Sequence, residues 1–270
     1  MDNFFSYEFL QRAFYMAVLG GTVCGIMGVF VVLWRMSLIG MCITHASFAG
    51  ALLGLLTGIS PLLGGVCGSL FAATCVGSLA NKPGFSIDTA MGVIFSVAMS
   101  IAMLSLGLLP GAQIEGLNLI WGSLLTVTWN EIIYMVLISI ILISFVFIMF
   151  KEIQAIMGQS QAAFASGIPV VQIRKIILIL MALVVAFTLK AIGGLLIFAL
   201  IVTPAAIALQ LTYNLKMMFF LSGILGAGAS VIGLWLSFYF SVPPGASIVL
   251  VATFLLIPAL IFSPKKKYLN

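Results

Sequence analysis

The chain reads as long apolar runs cut by short polar breaks, with little of the alternation that marks half-buried strands. Runs of this kind fall near 12–34, 37–58, 62–80, 87–109, 131–150, 172–190, 193–211, 217–240 and 246–263. A helix crossing a bilayer needs about 20 mostly apolar residues. The pattern therefore predicts an all-α, polytopic membrane helical bundle with about 8–9 transmembrane helices. Residues 1–270 form one membrane domain, because no polar stretch is long enough for an aqueous one. Two stretches stand apart. Residues 117–130, "LNLIWGSLLTVTWN", are too short to be assigned from pattern: they lie on the outer surface, re-enter the membrane or add a crossing. Trp121 and Trp129 within them suit an interface. Residues 151–171 are the least apolar part of the interior.

Composition sharpens this reading. Charged residues make up 6% of the chain and hydrophobic ones 63%, against roughly 25% charged in a soluble domain. Eleven Lys and Arg residues give a net charge of +5. They sit at span ends and in the tail "PKKK", so they are no nucleic-acid footprint. With the N-terminus outside and the C-terminus cytoplasmic, all of them except Arg12 and Lys190 fall on the cytoplasmic side, as membrane insertion selects. The first run is expected as a retained span, since "MDNFFSYEFLQR" is acidic before Arg12. Cys24, Cys67 and Cys75 read as buried small hydrophobes, and the 14 methionines as packing. Small residues, 27 glycines among them, recur within the spans and predict close helix packing.

The chemistry is sparse. No row of acids lies inside the membrane, as an ion-coupled carrier would need. No paired acid, base or nucleophile is present, so the chain is not expected to be an enzyme, and no "GxxxxGK[ST]" phosphate loop occurs. Asp88 starts a span where the helix dipole favours an acid. Glu115 and Glu131 read as loop charge on the outer side, and Pro204 as a break in the ladder of its span. The one histidine, His45, lies in "RMSLIGMCITHASFAG" at 35–50, with Met41 and Cys42 one helical turn before it. The segment "GQSQAAFASGIPV" at 158–170 reads as a short cytoplasmic helix ended by Gly167 and Pro169.

Four segments in order carry a resemblance. "FVVLWRMSLIG" at 30–40 is followed by "THASFAG" at 44–50; then come "SIDTAMGVIFS" at 86–96, "WGSLLTVTWNEI" at 121–132 and "IGGLLIFALIVTPAAIAL" at 192–209. Together they resemble the zinc/manganese/iron permease family of ABC transporters. The resemblance implies the membrane subunit of an ATP-driven importer of a divalent transition metal, working by alternating access in the cell (inner) membrane. It implies an ABC ATPase subunit, a periplasmic or surface metal-binding protein, and a second permease subunit, like or unlike, as partners. Nothing is expected to be bound permanently beyond the transported ion, and the surroundings are membrane lipid. By position, 158–170 is the coupling helix, with Phe164 as apolar anchor and Gly167 and Pro169 closing it. Family members carry more charge there; this chain has none between Glu152 and Arg174. A non-ABC metal channel or facilitator is the alternative of another class, and a siderophore-type ABC permease the nearer rival.

In the resembled family the residue four before this histidine is an aspartate, and the pair lines the metal path. Here that position is Met41, a neutral, soft thioether, with Cys42 three residues before His45. Three readings stay open. His45 with Met41 and Cys42 is a weakened path site, or this subunit is the inactive-site half of a heterodimer, or His45 is structural, its ring bonded to backbone or to Thr44 or Ser47.

Overall fold

A computed structural model describes residues 7–80, 84, 86–109, 119, 122, 124–194, 196–263 and 265. Lys82, Glu115, Trp121, Lys266 and Lys267, which bear on the expectations above, lie outside the described residues. In hydrocarbon each backbone group must be bonded within its own segment, so every apolar run folds as a helix. In chain order these are α1 (Glu8–Leu33), α2 (Ser37–Thr57), α3 (Pro61–Ala80), α4 (Ile87–Leu108), α5 (Trp129–Ile148), α6 (Phe150–Gly158), α7 (Ser160–Ala165), α8 (Val170–Ile192), α9 (Ile197–Leu211), α10 (Leu215–Phe240) and α11 (Pro244–Ile261). Among the described residues eight of them are long and apolar enough to cross a membrane. The ninth expected span, α9, has 15 residues, about 22 Å of helix against a hydrocarbon core of about 30 Å. Pro204 lies inside it and is buried.

Local chemistry sets the ends. Gly58 takes a left-handed conformation and stops α2, and Pro61 opens α3 three residues later. Ser86 accepts the Thr89 N–H at the start of α4, with Asp88 in that helix's first turn, as expected. Asn214 accepts the Lys216 N–H at the start of α10.

Helices α1, α2 and α8 form the centre, burying 67%, 72% and 67% of their most apolar stretches, against 22% for α4. Around them α3 and α4 pack on α2, while α9 and α10 pack on α1 and α11 packs on α9 and α10. α8 joins the two groups, and α5 lies against α1 and α8. Two glycine contacts bring backbones together. A Cβ on Gly50 of α2 would collide with the Gly64 carbonyl of α3, and one on Gly25 of α1 with the Ser222 carbonyl of α10. Ser222 Oγ also donates to the Gly25 carbonyl. Close approach of this kind supplies packing contacts where no hydrophobic effect drives association.

The two ends of the bundle are held differently. At one end, Arg174 lies over Trp34 at 5.2 Å, Lys216 over Phe150 at 5.3 Å and Lys265 over Tyr213 at 4.6 Å. This is the basic end. At the opposite end Lys190 Nζ donates to Glu131 Oε1 at 2.8 Å, and Trp129 Nε1 donates to Glu8 Oε1 at 3.0 Å. Glu131 is thus a paired, half-buried helix-start acid rather than loop charge, because it also accepts the Thr128 N–H at 2.8 Å. The stretch around 117–130 belongs to this end. Among its described residues it contributes a 3-10 turn, Leu124–Thr126, packed on α1 and α8. Leu119, Leu124 and Val127 are buried. The Leu119 carbonyl accepts the Gly194 N–H at 3.1 Å, just past the end of α8. These three residues are buried between helix ends.

Candidate metal path on α2

His45 sits eight residues into α2, about 12 Å along a helix of about 31 Å. That places it well inside the membrane. Its Nδ1 lies 2.8 Å from the Met41 carbonyl. A carbonyl only accepts, so Nδ1 carries a proton, and the tautomer this bond selects has its lone pair on Nε2. Phe95 fixes the ring from the side, edge-on at 4.9 Å and 75°. Phe95 is eight residues into α4, which begins at the same end as α2, so the two rings meet at one depth. Histidines that bind metals commonly donate the other ring N–H to a backbone carbonyl, which orients the free nitrogen. His45 has that arrangement before any metal arrives.

Its predicted neighbours stand differently. Met41 reaches His45 through its carbonyl, not its sulfur. Cys42 is buried, and no hydrogen bond joins it to the ring among the described residues. No group of three or more His, Cys, Asp or Glu side chains gathers there either. The alternative ring partners are engaged or turned elsewhere. Thr44 Oγ1 donates to the Gly40 carbonyl at 2.7 Å, and Ser47 Oγ is buried toward Gly65 of α3 without a hydrogen bond.

Beside this face, α2, α3 and α4 enclose an apolar cavity of about 580 Å³. Ala46, Leu53, Phe71 and Ile94 line it, with Cys67 and Cys75, and His45 does not. Cys67 is exposed and Cys75 half-buried, which corrects the expectation that both lie in the core. Their small thiols face a groove that only apolar matter fills.

The segment 158–170 is not one helix. α6 ends at Gly158, α7 is six residues long, and a turn follows. Gly167 adopts φ 83°. The Ile168 N–H bonds the Ala163 carbonyl at 3.1 Å and the Gly167 N–H bonds the Phe164 carbonyl at 3.0 Å, the pairing of a Schellman cap. Pro169 then caps the start of α8. Phe164 is 68% exposed. Phe164 thus stands exposed on a short helix at the basic end, followed by the Gly167 turn and Pro169.

Phe95 and the Lys190–Glu131 pair were not found from sequence. Neither gives a local signal, because each contact joins residues 50 or more apart on helices that are apolar all round.

Similarity to known proteins agrees with this architecture. Residues 6–263 match the model of the ABC 3 transport family. A manganese transport system membrane protein, MntC, of Halalkalibacterium halodurans is 30% identical over 100% of this chain and 92% of its own length. A high-affinity zinc uptake system membrane protein, ZnuB, of Haemophilus influenzae is 28% identical over 94% of this chain and 97% of its own. Among solved structures, PsaBC from Streptococcus pneumoniae, in complex with Fab, superposes with a TM-score of 0.88 at 30% identity, covering 98% of this chain and 95% of that one. A metal-chelate type ABC transporter in an inward-facing conformation shares the fold, with a TM-score of 0.76 at 14% identity, over 93% of this chain and 85% of that one. With its apolar spans and this full-length match, the chain is a multi-pass cell-membrane protein and belongs to the ABC 3 transport family.

Proposed function

We propose that this chain is the permease subunit of an ATP-driven importer of manganese or zinc, and that His45 binds the ion in transit. The observation that carries the site is the ring of His45: Nδ1–H tied to Met41 O, Nε2 left as a donor of electrons, about 12 Å inside a central helix. One imidazole without a carboxylate holds a divalent ion weakly, which suits a site that must release its cargo. Met41 and Cys42 are soft neighbours and favour zinc over manganese. Iron, the third metal the resemblance implies, has no named relative here to support it.

The basic end faces the cytoplasm on this reading. There α7 docks on an ABC ATPase subunit, with Phe164 entering an apolar pocket and Gly167 and Pro169 fixing the turn. The opposite end meets an external metal-binding protein. A second permease subunit completes the path, and Met41 standing where the resembled family has an aspartate favours an unlike partner that supplies the acid.

The test is uptake of manganese and zinc in cells lacking their own importers, with the whole transport system expressed. His45→Ala is expected to bring uptake of one metal to background, and Met41→Asp to raise manganese uptake relative to zinc. Unchanged uptake in His45→Ala at equal protein level would sink the assignment.

A further inference from the structure

A second cavity, of about 440 Å³, opens at the basic end where several helices stop. Its walls divide by chemistry. Leu33, Leu209 and Met218 form an apolar floor, and Gln154, Asn214 and Lys265 a polar rim. Leu33 is the last residue of α1, Leu209 lies in the last turn of α9, and Met218 lies in the first turn of α10. The cavity is thus at the level where hydrocarbon gives way to headgroups. Tyr213, which also lines it, is 66% exposed, as a side chain that meets lipid is.

Lys265 is placed there by the chain after α11. Ser263 Oγ lies 3.1 Å from the Gln210 carbonyl and 2.9 Å from its Oε1, donating to them. The Lys265 N–H in turn donates to Ser263 Oγ at 3.2 Å. The ammonium rests on the Tyr213 ring, and among the described residues no carboxylate pairs with it. Desolvation by partial burial pushes its pKa down.

We infer that this cavity holds the headgroup of an anionic phospholipid, with the phosphate on Lys265 and the glycerol and upper acyl chain on the Leu33–Leu209–Met218 floor. A carboxylate from a docked ATPase would satisfy the ammonium equally. It would leave the apolar floor unfilled. The amphipathic lining is what selects lipid.

Native mass spectrometry of the full chain reads this directly. Phosphatidylglycerol added to the detergent-solubilised protein is expected to be retained where phosphatidylcholine is released. Lys265→Gln should retain about fivefold less of it. Lys265→Arg should keep it, and so should Lys175→Gln at the same end but outside the cavity. Inorganic phosphate at equal concentration should not displace it, which separates a lipid site from a bare anion site. Equal retention of the two lipids, or of phosphatidylglycerol by Lys265→Gln and the unaltered chain, overturns the inference. So does a Lys265→Gln chain that releases the ATPase subunit yet holds lipid as before. Should Lys265→Gln fail to fold, the lipid comparison and phosphate competition on the unaltered chain decide the same question.

Discussion

Gly122 and Gly167 share a backbone conformation and differ in everything around it. Both have φ in the left-handed region, at 73° and 83°. Gly122, at the end opposite the basic one, is pressed against the backbone of Ile192 and Gly193. Gly167, at the basic end, has nothing within contact range of where a Cβ would stand. The difference extends to their surroundings. The Gly122 end is tied by an ion pair, a Trp–Glu hydrogen bond and a buried turn that joins α1 to α8. The Gly167 end carries the short helix α7, four of whose six residues are exposed, and three cations resting on aromatic rings. The buried turn is what constrains the first end, because the half-exposed ion pair and the stacked cations are each worth about 1 kcal/mol. One end is tightly packed on backbone, and the other carries an open, exposed turn.

The sharpest way to break this contrast is Gly122→Ala. A methyl there meets the backbone at the end of α8, which no rotamer change relieves. Strain and overpacking together are expected to cost more than about 3 kcal/mol. The measurable result is loss of folded protein on size-exclusion chromatography in detergent. A well-folded Gly122→Ala chain with an unchanged melting temperature would show that the tight end is not tight.

Much of the contrast was hidden in the sequence, and the reasons are physical. The nine expected spans recur in order, and the expected 37–58 and 62–80 coincide with α2 and α3 to within about a residue. That agreement follows from the bilayer, which requires apolar runs and helices and leaves few alternatives. The expected 193–211 begins four residues before α9, because Gly193 and Gly194 are apolar enough to extend the run yet break the helix. The expected short helix at 158–170 proved to be the six residues Ser160–Ala165 for a similar reason: Gly158 ends α6 before it and Gly167 turns the chain after it, and hydropathy registers neither. His45 was legible as a candidate because it is the one histidine in the chain. Its ring partner Phe95 was not, because α2 and α4 are apolar on every face and no periodicity says which face meets which. The meaning of Glu131 was also out of reach, since Lys190 is 59 residues away.

Glu131→Gln tests the tie itself. The carboxylate accepts from both Lys190 and the Thr128 N–H, so the amide loses the charge and keeps one acceptor. Lys190 is 45% exposed and Glu131 15%, and solvent screening holds the pair's worth to about 1 kcal/mol. A melting temperature a few degrees lower is expected. A double-mutant cycle with Lys190→Met should show the two changes to be less than additive. Full additivity would mean that the pair does not couple α5 to α8.

Gly167→Ala is the mildest change and bears most directly on the basic end. The backbone at φ 83° costs an alanine about 1–2 kcal/mol, but there is room for the methyl. The protein avoids this cost by letting the Schellman turn after α7 open, and α8 continues from Pro169 unaffected. The melting temperature should therefore change little, since the strain is released in a segment that buries only Ala163 of α7. What should change is the angle at which Phe164 is presented. If α7 transmits the work of an ATPase, metal uptake driven by the assembled transporter falls severalfold while the isolated chain stays folded. If uptake is untouched and the melting temperature drops, α7 is a structural connector and the push arrives elsewhere.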